Sequence, residues 1–165
     1  LLRENNITGQ FVVLHPGSGG SALDWPPESF GQLAAQIQNK LKLPVVATGS
    51  AAESELIDLI EKQTKNILRL EGQLNIKELA ALLKKSSLVV ANSTGPLHLA
   101  VAVGTDVIGL YCTKTACGPD RWGPYRRTDS VIAPPENAEY EKDNNPMQLI
   151  TVEQVFQMTR KKLSI

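Results

Sequence analysis

Three short stretches hold the residues whose types and spacing could do chemistry. The first, His15-Pro-Gly-Ser-Gly-Gly-Ser21, follows the apolar run QFVVLH. Glycine lets backbone N–H groups close on an anion, so a glycine-rich loop at the end of a strand suits a pyrophosphate. Gly17-x-Gly19-x-x-Ala22 even fits the loose dinucleotide fingerprint G-x-G-x-x-G/A. That fingerprint needs a helix to begin within the glycines, and Trp25-Pro26-Pro27 delays the helix to Pro27. The prolines therefore count against a nicotinamide-dependent oxidoreductase, while a plain glycine-rich turn stays open. The second stretch, Val90-Ala-Asn-Ser-Thr-Gly-Pro-Leu-His98, puts small hydroxyl and amide side chains where a strand gives way to a helix. Ser93, Thr94 and Gly95 would present N–H and O–H donors at that helix's N-terminus, with Pro96 in the first turn where its missing N–H does no harm. The plainer alternative is a cap, in which Ser93 or Thr94 only starts the helix. His98 alone reads as a structural histidine. In the third stretch, Gly49-Ser-Ala-Ala-Glu53, the Glu53 carboxylate could accept from both hydroxyls of a ribose, or could simply complement a helix dipole.

The elements that must position these loops follow from periodicity. Apolar runs at 10–15, 44–48, 67–70, 88–91 and 106–111 read as strands, with a weaker one at 130–133. Helical spacing fills 27–41, 52–63, 75–83 with Asn75 as N-cap, 95–103, and 152–163 with Thr151 as N-cap and Glu153 in the first turn. Strands alternating with helices imply crossover connections, hence an α/β fold with a Rossmann-like parallel sheet of about five or six strands and helices on both faces. All three loops then share the carboxyl edge of one sheet, where ligands of open α/β sheets bind. Residues 112–130 read as a long ordered loop, and 134–146 as a polar stretch without periodicity.

Composition narrows the partners. The 165 residues suit one domain, and 17 Lys and Arg balance 17 Asp and Glu, so no global field draws the chain to nucleic acid or anionic lipid. Arg121, Arg126 and Arg127 form a local basic group that a solvated surface also explains. No apolar run approaches a membrane span, no signal peptide opens the chain, and two cysteines make neither a disulfide framework nor a zinc site. The expectation is a cytoplasmic domain without cofactor or metal. The chain opens Leu-Leu-Arg, which suggests a piece of something longer.

With these stretches in place, the segments HPGSGGSALDWPPESF, ATGSAAESE, LEGQLNIKELAALLKKSSLVVANSTGPLHLAVAVG and CGPDRWGPY together resemble the carboxyl-terminal half of the ADP-heptose:lipopolysaccharide heptosyltransferase family. The resemblance runs from about residue 10 to the final helix, and NSTGPLHLA is its most specific part. It implies a GT-B glycosyltransferase, of which residues 1–165 are the nucleotide-sugar donor domain and an absent amino-terminal domain holds the lipopolysaccharide-precursor acceptor. It places Ser18, Gly19, Gly20 and Ser21 near the diphosphate, Glu53 at the ribose and the main chain of Leu74 at the adenine edge. Thr94 and Gly95 would hold phosphate, and Ser93 would face the sugar. The implied location is the cytoplasm, peripheral to the inner membrane face. Two departures stand out: Leu23 replaces a frequent basic residue, and Asn92-Ser93 replaces a frequent acid before Thr-Gly-Pro. Losing a phosphate-facing cation removes a hydrogen bond of about 1.5–3 kcal/mol. Lys114 and Arg121 are candidate substitutes, and a non-catalytic nucleotide-sugar-binding module is the alternative reading. The implied reaction is direct displacement with inversion, its general base on the other half. Asp24 and Asp120 read as loop acids with no visible partner, so this chain alone should bind nucleotide and transfer little.

Overall fold

Short apolar runs bounded by turn residues become strands: Pro16-Gly17 ends the first, Pro44 and Gly49 bracket the second, and Gly104, at φ 87°, precedes the fifth. The computed structural model describes residues 1–113, 116, 118–135 and 145–165. Its strands are β1 (Val12–His15), β2 (Val45–Ala47), β3 (Leu68–Arg69), β4 (Leu88–Asn92), β5 (Val107–Leu110) and β6 (Val131–Ile132). They lie in the order β3-β2-β1-β4-β5-β6, and every neighbouring pair is parallel. The helices are α1 (Pro27–Gln36), α2 (Ser54–Glu61), α3 (Ile76–Lys85), α4 (Gly95–Ala102), α5 (Pro119–Trp122) and α6 (Val152–Leu163).

Because side chains alternate along a strand, each of the four central strands feeds two cores. Val12, Leu14, Val45, Ala47, Leu88, Val90, Ile108 and Leu110 pack on one face against Phe30, Leu33 and Ile37 of α1 and its extension, Ile57 and Ile60 of α2, and Val155 and Phe156 of α6. Val13, Val46, Val89 and Val107 pack on the other against Leu82 and Leu83 of α3 and Leu97 and Ala100 of α4. Helices thus cover both faces, as the alternating pattern requires.

Where structure and periodicity differ, the cause is local. The helix expected over 27–41 is α1 followed by a π-helical turn, Ile37–Leu41, which ends at Lys42 with φ 58°. The long loop after β5 contains α5 and a 3-10 turn at Thr128–Ser130. A further 3-10 turn, Pro146–Leu149, starts from Asn145, whose side chain accepts from the Met147 N–H. Trp25 explains the double proline. Its ring is fully buried, edge-on to Phe30 at 4.9 Å, and its indole N–H donates to the Ile150 carbonyl at 2.9 Å. Removing such an aromatic costs roughly 3–5 kcal/mol. Pro27 then sits in the first turn of α1, where no N–H is needed.

Candidate functional site

A parallel sheet delivers every strand's following loop to one edge. All nine residues singled out from the sequence lie there: Leu74 after β3, Glu53 after β2, Ser18 to Ser21 after β1, and Ser93 to Gly95 after β4. With strands about 4.8 Å apart, the four loops span roughly the length of an extended nucleoside diphosphate.

The loop after β1 is a braced backbone turn. Gly19 and Gly20 hold φ of 60° and 79°, which residues with a Cβ rarely adopt. The Ser21 hydroxyl donates to the Ser18 carbonyl at 2.7 Å and the Ser18 hydroxyl to the Ala22 carbonyl at 3.1 Å, so both fold inward. Gly17 has a different reason: a Cβ there would land on Oε1 of Glu53. That same oxygen accepts the Gly19 N–H at 3.1 Å, while Oε2 accepts the Ser50 N–H at 2.7 Å and its hydroxyl at 2.9 Å. Glu53 therefore closes the capping box at the start of its own 3-10 turn, Ala51–Glu53, and braces the glycine loop as well. Partial burial pushes its carboxyl up, but the Ser50 N–H and hydroxyl, His15 and the Gly19 N–H together hold it below the ordinary carboxylate value.

His15 closes β1. Its Nδ1 lies 2.9 Å from the Thr48 hydroxyl, and burial pushes its pKa down to about 4 against the opposing pull of Glu53. The Thr48 hydroxyl also lies 3.4 Å from the Leu14 carbonyl, which ties the end of β1 to β2.

Two contributors were not legible in advance. Asn92, the fully buried last residue of β4, donates from Nδ2 to the Pro16 carbonyl at 2.6 Å and accepts the Trp25 N–H at 3.0 Å. It clamps both ends of the glycine loop. The usable signal was an amide ending an otherwise apolar strand. Asp24, expected to be a loop acid without a partner, instead faces Ser18 and Asn92. Burial raises its carboxyl above the ordinary value, Ser18 opposes this, and Glu53 adds to the rise. One oxygen, Oδ1, is buried without a hydrogen-bond partner among the described residues.

At α4 the capping alternative can be inspected directly. Thr94 occupies the N-cap with φ −152° and ψ 161°, yet its side chain makes no capping hydrogen bond. Ser93 and Thr94 are largely buried, whereas Gly95 is exposed. Tyr111 approaches the Ser93 hydroxyl, and burial raises its phenol to about 12. Pro96 has no N–H and the Leu97 N–H donates to the Thr94 carbonyl at 3.1 Å, so the first turn of α4 keeps the Gly95 N–H and the positive end of its dipole. Leu74 is half-buried against the second core, and Leu23 is 40% exposed. Arg121 lies over the Trp122 ring at 5.6 Å, while Lys114 lies outside the described residues. Among the described residues no helix is long and apolar enough to cross a membrane, and no three His, Cys, Asp or Glu gather as metal ligands.

Comparison with known proteins identifies the family and the fold. Residues 3–150 match glycosyltransferase family 9 (heptosyltransferase). The lipopolysaccharide core heptosyltransferase OpsX of Haemophilus influenzae is 33% identical over 135 residues, which is 79% of this chain and 38% of that protein. Among solved structures, a glycosyl transferase family 9 protein from Veillonella parvula superposes with a TM-score of 0.79 at 19% identity, covering 99% of this chain and 49% of that one. Escherichia coli heptosyltransferase WaaC with ADP superposes with a TM-score of 0.76 at 19% identity, covering 93% and 44%. The chain thus spans less than half the length of each of these relatives.

Proposed function

The chain belongs to glycosyltransferase family 9, the heptosyltransferases, and we propose that it is the donor-binding domain of a two-domain GT-B enzyme. The enzyme transfers heptose, or a related sugar, from a nucleoside diphosphate to a lipopolysaccharide core acceptor. The observation that carries this reading is the uncapped first turn of α4, beside a braced glycine loop at the same sheet edge. WaaC solved with ADP and the lipopolysaccharide-core activity of OpsX support the choice of donor and acceptor.

In this mechanism the glycine-loop backbone, Thr94 and Gly95 hold the diphosphate. Charge builds on it as the sugar leaves, and N–H donors fixed before the reaction stabilise that charge without reorganising. Ser93 faces the sugar, Glu53 lies at the ribose end, and the Leu74 main chain meets the base. The acceptor hydroxyl attacks the opposite face of the anomeric carbon, so configuration inverts. The base that activates it is assigned to the acceptor half by resemblance to the family, and Asp24 faces Ser18 and Asn92.

A thermal-shift series with ADP, UDP, GDP and NAD tests the reading. Saturation with ADP to ~100 times its dissociation constant should add about 2.7 kcal/mol. At ~2–4 °C per kcal/mol this raises the melting temperature by several degrees, and NAD should do no better. No response to any diphosphate would remove the donor site.

A further inference from the structure

The sugar end of the proposed donor meets Ser93, and the register of the sheet sets a buried phenol beside it. β4 and β5 run parallel with Asn92 opposite Leu110, so the next residues, Ser93 and Tyr111, lie side by side as the two strands end. Tyr111 belongs to the core that holds Val89, Ala91 and Val107, and alternation along β4 puts Ser93 on that same face. Tyr111 is fully buried and Ser93 nearly so. The Tyr111 ring lies back over Gly109, where a Cβ would strike its Cε2 and crowd Leu97 of α4. The Tyr111 N–H donates to the Ile132 carbonyl at 3.0 Å, so backbone and ring are both fixed.

The hydrogens then fall in one order. The Tyr111 phenol lies 2.7 Å from the Trp122 carbonyl. A carbonyl only accepts, so the phenol's single hydrogen is committed there and its oxygen is left to accept. The Ser93 hydroxyl faces that oxygen: burial raises the phenol, and the hydrogen bond from Ser93 opposes the rise. With its hydrogen given to Tyr111, Ser93 turns only lone pairs toward the site. A serine without such a partner would rotate, and could donate or accept.

We propose that Tyr111 is a positioning residue that holds the Ser93 hydroxyl as an acceptor, so that the site selects a donor sugar with a free hydroxyl at that place. Ser93 facing the sugar is part of the donor reading, on which this proposal rests. Being fully buried, Tyr111 acts through Ser93. An acceptor fixed before binding loses no rotamer freedom when the sugar arrives. A sugar with an ether oxygen or fluorine at that place brings lone pairs against lone pairs and is refused.

Calorimetric titration of the intact chain with ADP, ADP-glucose and ADP-mannose tests this, because ADP lacks the sugar that Ser93 faces. Tyr111→Phe and Ser93→Ala should each weaken at least one ADP-sugar by roughly fivefold or more, the size of one neutral hydrogen bond, and leave ADP within about twofold of the parent. The double variant should lose about as much as either single one, because both changes remove the same contact. Unchanged affinity for both ADP-sugars in either single variant overturns the proposal. So do losses that multiply in the double variant, since the two residues then act separately. A Tyr111→Phe variant that loses ADP and ADP-sugars alike overturns it too, because the phenol then only shapes the first turn of α4. Ser93→Ala leaves the Trp122 carbonyl paired and carries the test if Tyr111→Phe does not fold: a loss confined to the ADP-sugars supports the proposal, and no loss overturns it. The parent's affinity for ADP reports the donor reading separately. No ADP binding removes that reading, whereas ADP binding with a flat response to Tyr111→Phe removes this proposal alone.

Discussion

Helices α3 and α4 begin at the same edge of the same sheet, on the same face, and their first turns are built in opposite ways. At α3, Asn75 Oδ1 accepts the N–H groups of Lys77 and Glu78 at 3.0 and 3.1 Å, and Glu78 reaches back to the Asn75 N–H at 2.9 Å. At α4, the N-cap threonine caps nothing, the next residue is an exposed glycine, and Pro96 brings no N–H. The first arrangement spends its donors on folding. The second withholds them, which is what an anion site requires. The same contrast runs along the edge: the β1 and β2 loops close on each other through Glu53, while after β4 the Thr94 side chain makes no capping bond and Gly95 is exposed.

The closed side is most exposed to acid. His15 has an ordinary value of 6.5 and a folded value near 4. Above pH 6.5 the imidazole is neutral in both states and carries no penalty. Between pH 6.5 and 4 the unfolded chain takes up a proton that the folded chain refuses, so stability falls, by up to about 3 kcal/mol. Asp24 acts in the opposite sense, because its raised carboxyl binds a proton first in the folded state. Urea unfolding at pH 7 and 4.5 should show His15→Gln losing less stability than the parent, by roughly 2–3 kcal/mol. Equal losses would mean that His15 does not sustain the brace as a neutral ring.

Converting the open turn into a closed one should invert two observables together. Thr94→Asp supplies a carboxylate that caps α4, adding ~0.5–2 kcal/mol of stability. The same charge repels a diphosphate, and ADP affinity should fall by about a hundredfold, equivalent to ~2.7 kcal/mol. Calorimetric binding and melting on one sample read both. A variant that gains stability and binds ADP as the parent does would place the diphosphate elsewhere.

A gentler pair sharpens the contrast. Asn75→Ala should cost ~1 kcal/mol of stability, whereas Thr94→Val, losing a hydroxyl that caps nothing, should cost less than ~0.5 kcal/mol. Thr94→Val should instead lower ADP affinity by about tenfold, as a charged acceptor loses its partner. Equal stability losses in the two variants would restore the capping role at Thr94.

Much of the fold was legible because its signals are local. The apolar run Val12-Val13-Leu14, the proline pair before α1 and the Asn75 cap each sit within one element. What was illegible joins distant positions. Asn92 meets Pro16 and Trp25 across 76 and 67 residues, and the Gly19–Glu53 bond spans 34. Asp24 looked unpartnered because its neighbours arrive from β4 and from its own turn. The π-helical turn at Ile37–Leu41 escaped for another reason: apolar spacing does not distinguish it from ordinary helix. Capping was ambiguous at Thr94 because a small hydroxyl before a helix looks alike whether or not it caps.

The place of β1 at the centre of the sheet has a consequence in time. Val12 to His15 pair with Leu88 to Ala91, strands that enter the chain more than seventy residues apart. Closing so long a loop costs entropy before any contact rewards it, and non-local pairing of this kind slows folding toward milliseconds or longer. During synthesis, the glycine loop has no clamp until Asn92, 76 residues after Pro16, follows it out of the ribosome. A nascent chain that ends before β4 carries every residue of that loop and still lacks its shape.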